Sequence, residues 1–192
     1  MRHHIVDTIA LLPKVCEHIE IPVQAGSNTL LRRMGRPYTV ESYLELVQYI
    51  RDTIPNVSLG TDIIVGFSGE TEEEYAETRA LIEQVRFDVV HIAPYSVRPG
   101  TPAEQLPDDV PAKVKEARRK DLDDLQARIA TEINAPLLGQ TVEVLVEGHA
   151  RGRWRSRTKN NTLVFFEDEA GLQGELVNVH IIWAGPWSLV GR

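Results

Sequence analysis

The sequence predicts an α/β fold followed by a small all-β, five-stranded barrel, and three observations carry that reading. Up to about residue 135, short β-branched runs alternate with helix-periodic segments, the order that builds a parallel sheet with right-handed crossovers. Beyond it the periodic segments shorten to strand length, and glycines recur at 139, 148, 171, 174 and 185, the punctuation of a small antiparallel barrel. Charge changes at the same place: residues 1–135 carry 15 basic and 22 acidic side chains, whereas residues 136–192 carry six of each. Two domains are expected, 1–135 and 136–192.

Element by element, residues 5–12 read as a short helix ended by Pro13. Ile19, Ile21 and Val23 alternate with polar neighbours as a strand, and the polar loop Gln24-Ala25-Gly26-Ser27-Asn28 follows. A short helix runs through Leu30, Leu31 and Met34 to Gly35. Thr39 is a candidate N-cap for a helix whose stripe is Tyr43, Leu46, Val47, Ile50 and Ile54, closed by Pro55. Residues 57–67 are apolar almost throughout, as in a parallel strand covered on both faces. Thr71 and Glu74 form a capping box for the next helix, residues 87–93 a third strand, and Pro94 to Val110 a proline-rich loop. A long helix from Pro111 carries Val114, Leu122, Leu125, Ile129 and Ile133. Strands are then expected at 142–146, 154–158, 162–166, 176–182 and 187–190.

At 192 residues and 42% apolar content the chain has material for a core. No apolar run approaches the roughly 20 residues that span a bilayer, and the N-terminus lacks the order of a signal peptide, so no membrane partner and a cytoplasmic location are expected. The single cysteine, Cys16, excludes an internal disulfide and a self-contained thiolate cluster, and reads as a small buried apolar residue. The six histidines lack metal-ligand spacing, so no metal ligand is assigned. A net charge of −7 argues against a nucleic-acid partner, although the distribution of charge matters more than its sum.

Three loops at the C-terminal ends of the predicted strands are where such a fold places ligands. In the loop from Gly66 to Glu70, two glycines permit close backbone approach and the helix start at Thr71 offers N–H groups to an anion; a tight strand-to-helix turn explains the pattern as well. Asp62 is a carboxylate in an apolar strand, partnered either by ribose hydroxyls or by the protein. Arg36 and Arg98 could each hold a carboxylate or phosphate, or sit in surface salt bridges. Gln24 could bond a polar ligand or cap its own loop.

The basic run is sharper. Arg151, Arg153, Arg155, Arg157 and Lys159 alternate, which on a strand puts all five on one face, with Trp154 turned into the barrel. Without interspersed acids such a face repels itself unless a polyanion covers it; a solvated charged face is the other reading.

Read together, Cys16-Glu17-His18-Ile19-Glu20-Ile21-Pro22-Val23-Gln24-Ala25-Gly26-Ser27, Thr61-Asp62-Ile63-Ile64-Val65-Gly66-Phe67-Ser68-Gly69-Glu70-Thr71 and Tyr95-Ser96-Val97-Arg98-Pro99-Gly100-Thr101 resemble the radical-SAM tRNA methylthiotransferases. Among these the tRNA-2-methylthio-N(6)-dimethylallyladenosine synthases are nearest. The segment with Val144-Leu145-Val146-Glu147-Gly148 and Arg157-Thr158-Lys159-Asn160-Asn161 resembles a TRAM domain. The resemblance implies the last strand–helix units of a radical-SAM (β/α) barrel followed by a TRAM RNA-binding barrel, with tRNA as partner. It also implies S-adenosyl-L-methionine as cofactor, its ribose at Gln24 and Asp62, its carboxylate at Arg36, a close backbone approach at Gly66, and Arg98 on the substrate side. The implied reaction adds a methylthio group to C2 of an N(6)-modified adenosine beside the anticodon.

Family members carry [4Fe-4S] clusters on a C-x3-C-x2-C loop and an N-terminal domain, and those ligands are not in this chain. The expectation is therefore that the chain alone neither assembles a cluster nor turns over, and that the missing N-terminal segment of the same enzyme is a partner. Glu20 stands where the family has His, Ala25 where it has Ser and Ser68 where it has Pro; the change at 25 removes a hydroxyl from the proposed site. Two other readings stay open: a non-catalytic RNA-binding module, and a methylthiotransferase for another tRNA adenosine derivative or a ribosomal protein.

Overall fold

The computed structural model describes residues 3–150 and 152–192. Helix α1 (His3–Leu11) leads to strand β1 (His18–Glu20), short helix α2 (Asn28–Arg33), α3 (Val40–Thr53), β2 (Ser58–Val65), α4 (Glu72–Val85) and β3 (Val89–Pro94). A single 3-10 turn, Pro102–Gln105, interrupts the following loop before the long helix α5 (Ala112–Asn134). The three strands form a parallel sheet in the order β1-β2-β3. Strand β1 is shorter than its alternation suggests: past Ile21, whose N–H reaches Gly60 O at 2.9 Å, the Thr61 hydroxyl donates to the Ile21 carbonyl and accepts from the Val23 N–H, and the backbone ladder to β2 resumes at Gln24, bridged to Ile63. Both α3 and α4 begin with full capping boxes, Thr39 with Ser42 and Thr71 with Glu74, which satisfy otherwise orphaned helix N–H groups.

The sheet is covered on one face only. Leu59, Ile63 and Val65 of β2 pack with Tyr43, Val47 and Ile50 of α3, Ile82 and Val85 of α4, and Leu122, Leu125 and Ile129 of α5. Gly60, Asp62 and Ile64 alternate to the other face, where Asp62 and Ile64 are half-buried, and the register sets Asp62 beside exposed His91 and Ile64 beside exposed Ala93. The apolar run of β2 had suggested cover on both sides. What the run reflects is close packing on the helix side, with Gly60 buried on the other beneath the side chain of Glu20.

After a second 3-10 turn, Ala135–Leu137, strands β4 (Thr141–Ala150), β5 (Arg153–Thr158), β6 (Leu163–Phe166), β7 (Leu176–Ala184) and β8 (Leu189–Gly191) close into a barrel in the order β4-β5-β6-β8-β7. Val144, Val146, Val164, Phe166, Val179, Ile181 and Leu189 fill it. The expected all-antiparallel pairing fails at one seam, where β6 and β8 run parallel. The reason is parity, since a closed ring of five strands cannot alternate direction all the way round. Gly148, read as a strand boundary, instead marks a bulge inside β4 that lets the strand run on to Ala150.

The barrel is joined to the N-terminal ends of the parallel strands through the turn after β5. Glu17 N–H donates to Lys159 O at 3.1 Å, Lys159 Nζ reaches Glu17 Oε1 at 2.8 Å, and Asn160 Nδ2 donates to Asn56 O. Ser58 Oγ donates its one proton to Asn160 O at 2.8 Å, so His18 Nδ1, 2.6 Å from the same oxygen, must carry the proton of that contact. On the far side Asn134, at the end of α5, donates to Gly185 O at 2.8 Å. Cys16, expected in the interior, is exposed just before this junction. No helix among the described residues is long and apolar enough to cross a membrane.

Leu122 is fully buried where α5 meets the sheet, so Leu122→Ala should destabilise the chain by about 2–5 kcal/mol in urea unfolding.

Candidate functional site

The C-terminal ends of β1, β2 and β3 meet in a cleft of about 320 Å³ lined by Gln24, Arg36, Ile64, Tyr95, Arg98 and neighbouring loop residues. Gln24 is fixed by its backbone: its N–H donates to Asp62 O at 2.9 Å, its carbonyl accepts from Ile64 N–H at 3.0 Å, and its φ of 73° places it in the left-handed region. That conformation is unfavourable for a residue with a Cβ, and the two bonds to β2 hold it there. Arg36 follows helix α2, with its N–H bonded to Leu31 O at 2.9 Å, and Arg98 sits in the loop after β3, where its carbonyl accepts from Thr101 Oγ1. Both arginines are exposed, and among the described residues neither guanidinium meets a carboxylate. Two unpaired cations on one cleft favour an anionic ligand.

Three of the sequence candidates, Gln24, Arg36 and Arg98, thus line one cavity. Asp62 does not line it. It lies on the uncovered face of β2, half-buried rather than enclosed, and among the described residues its carboxylate has no partner. Gly66 also lies outside the cleft wall. Its φ of 71° favours glycine, and a Cβ there would lie 2.3 Å from Cγ of Lys115, so the group that approaches its backbone is a lysine of α5. Ala25 is fully buried in an apolar cluster with Leu30, Leu31 and Phe67, which accounts for an aliphatic residue at that position.

The helix start after Gly66–Glu70 is occupied by the protein's own acids. Thr71 N–H donates to Glu74 Oε2 at 3.1 Å, and Gly66 N–H to Glu70 Oε2 at 2.5 Å. Glu70, with a fully buried side chain, also receives Arg118 Nη1 at 2.6 Å; burial pushes its carboxyl up while Gly66 and Arg118 oppose the shift. Arg118 and Lys115, both buried on the first turns of α5, were not anticipated. The signal available in the sequence was two cations on the apolar side of a helix otherwise charged on its outer face.

Arg33 and Glu74 form a bidentate pair at 2.7 and 2.6 Å, and the guanidinium holds Glu74 below the usual carboxylate range.

On the barrel, Arg153, Arg155 and Arg157 project from β5 and are about half exposed, at 48%, 50% and 40%. The run is not free of acids, as its own sequence had suggested. Glu167 pairs with Arg153 at 3.0 Å, and Glu147 of β4 lies 3.4 Å from Arg155 and 3.3 Å from Arg157. Acids on β4 and just after β6 thus relieve the repulsion, and such exposed pairs contribute only about 0–1 kcal/mol each, leaving Arg153 and Arg155 exchangeable toward phosphate, whereas Arg157 is also held by its Nη1 donating to Asn161 O and Oδ1 at 3.0 Å. Strand register places Phe165 beside Arg155, and Leu145 and Leu163 beside Arg157. Lys159 is not on the strand: it lies in the following turn, paired with Glu17 in the junction. Trp154 faces the barrel interior, partly buried. Arg151 lies outside the described residues. Among the described residues no group of three or more His, Cys, Asp and Glu could hold a metal ion.

Residues 2–82 match the radical SAM superfamily, and residues 137–192 match the TRAM domain. The class defined by fold and matches is a portion of a radical SAM domain joined to a TRAM barrel. The tRNA-2-methylthio-N(6)-dimethylallyladenosine synthase of Chloroflexus aurantiacus is 51% identical over all of this chain and 42% of its own length. The proteins of the same name from Herpetosiphon aurantiacus and Dehalococcoides mccartyi are 50% and 43% identical over 100% and 98% of this chain. The chain is thus similar over its whole length to proteins of that name, and it spans about two fifths of their length.

Because Glu74 is depressed in the folded state, its pair with Arg33 contributes stability that is complete above the ordinary value of 4.5 and is lost as pH falls through the lower folded value. Urea midpoints between pH 3 and 6 should therefore fall more steeply on acidification for the wild type than for Arg33→Met, roughly the behaviour of one linked proton.

Proposed function

We propose that this chain contributes half of an S-adenosyl-L-methionine site and the RNA-holding surface of a radical-SAM methylthiotransferase. Its substrate is an N(6)-modified adenosine beside the anticodon of tRNA, in the cytoplasm. Residues 1–135 form the catalytic-domain portion and residues 136–192 the TRAM domain. The observation that carries the reading is the single cleft shared by Gln24, Arg36 and Arg98, with two guanidiniums free of acidic partners. A nucleoside amino acid presents a carboxylate, which Arg36 can hold in a bidentate pair, and sugar hydroxyls, which suit the Gln24 amide; a ribose that extends beyond the cleft past Ile64 would reach Asp62 on the same face of β2. Arg98, across the same cleft, is placed for the substrate.

A [4Fe-4S] cluster does not fit the residues present. It takes about three protein thiolates, and the sequence has only exposed Cys16. The cluster ligands of the proposed enzyme therefore belong to the longer protein, whose remaining strands would also cover the open face of the sheet. Taken alone, the chain is a binding unit: the lone cysteine speaks against turnover, and the exposed Arg153 and Arg155 support the reading of a non-catalytic RNA-binding module in that state.

Calorimetric titration of the 192-residue chain with S-adenosyl-L-methionine should show saturable one-to-one binding that weakens about tenfold or more in Arg36→Met, the loss of one charge-assisted pair. Binding by Arg36→Met equal to wild type removes Arg36 from the site, and no saturation in either protein removes the half-site.

For the barrel, Arg153→Ala with Arg155→Ala should weaken binding of an anticodon stem-loop RNA and reduce the slope of log K against log salt by about one to two. An unchanged slope would exclude β5 as the phosphate-contacting face.

A further inference from the structure

We infer that Lys115 is a positioning residue for the cleft: it ties the end of β2 to the loop after β3 and so fixes the wall that carries Tyr95 and Arg98. The inference rests on the reading of that cleft as a cofactor site for what the wall does, but not for its mechanics.

The lysine side chain is only 8% exposed, and burying an ammonium is costly unless its donors are satisfied. Of its two hydrogen-bond partners, Tyr95 lines the cleft and Asp108 lies further along the proline-rich loop. Its Nζ donates to Tyr95 O at 3.1 Å and to the carboxylate of Asp108, and it lies over the Tyr95 ring at 5.2 Å. The methylene stem fills the space above Gly66, where an added Cβ would meet Cγ, Cδ and Cε within 3.2 Å. Tyr95 is itself tied to β2 by its N–H on Val65 O at 2.8 Å, and its ring meets Phe67 edge-on at 4.8 Å. One side chain therefore closes a circuit through the end of β2, the end of β3 and the distal part of the proline-rich loop. Lys115 does not line the cleft; Tyr95 and Arg98 do. Its effect on a ligand is transmitted through them.

Three variants of the full 192-residue chain separate this role from general stability. Lys115→Met keeps the stem over Gly66 and removes the ammonium, Asp108→Asn removes only the acidic partner, and Lys115→Arg preserves the charge. Amide hydrogen exchange in residues 94–108 should rise about tenfold in the first two while exchange in α3 stays at the wild-type rate, and Lys115→Arg should restore most of the protection. In the same proteins, affinity for S-adenosyl-L-methionine should fall about tenfold in Lys115→Met and recover in Lys115→Arg, with stem-loop RNA affinity unchanged. Wild-type exchange in residues 94–108 of both Lys115→Met and Asp108→Asn would overturn the inference. Raised exchange with unaltered cofactor affinity would overturn its link to the ligand. A wild-type chain that does not bind the cofactor would remove the cofactor reading, and the exchange data would still decide whether Lys115 holds the wall.

Discussion

The arrangement of this molecule depends on the grip of the first turns of α5 on the ends of two strands. Arg118 neutralises the buried carboxylate of Glu70, and that carboxylate in turn accepts the N–H of Gly66, the residue where β2 turns away from the sheet. A buried ion pair contributes little net stability against an apolar alternative, because desolvation offsets most of the Coulomb attraction. What it supplies is geometry. Arg118 cannot leave without stranding the carboxylate of Glu70, and its second nitrogen holds Glu72 Oε1 at 2.6 Å at the start of α4, so the turn between β2 and α4 is tied to the helix at both ends. Lys115, three residues before Arg118, extends the same constraint to Tyr95 and Asp108.

Two candidate surfaces lie at opposite ends of the parallel strands. The cleft of Gln24, Arg36 and Arg98 opens at their C-terminal ends, and the barrel is pinned at their N-terminal ends through Glu17, His18, Asn56 and Ser58. At about 3.3 Å per residue the eight residues of β2 set these ends roughly 25 Å apart. The junction contacts give that separation a fixed value instead of leaving it to a linker.

The fold was largely legible because each element obeys a local rule: the stripe of Tyr43, Val47 and Ile50, the capping box at Thr71, the glycine-punctuated strands after residue 135. What local rules missed came from partners distant in sequence. The acids that quiet the β5 arginines stand on β4 and after β6, so inspection of residues 151–159 alone overstated the repulsion. Lys159 continued the alternation on paper, but the chain turns at that residue and its ammonium meets Glu17, 142 positions away. Gly66 was recognised as a place of close approach, whereas the identity of the approaching group required the position of α5. Gln24 and Arg98 were legible from their place in loops after strands and Arg36 from its guanidinium beside such a loop; Asp62 was chosen for its chemistry within a strand, and it faces the open side of the sheet.

Helix α5 is bound to the sheet at one end by Arg118 and to the barrel at the other by Asn134, which reaches Gly185. A helix turns about 100° and rises about 1.5 Å with each residue. Adding or deleting one residue between Ile129 and Asn134 would therefore swing the whole barrel through more than a quarter turn and pull the Lys159–Asn160 turn off the start of the sheet. The distal half of α5 thus serves as the spacer that sets the angle between the two halves of the molecule.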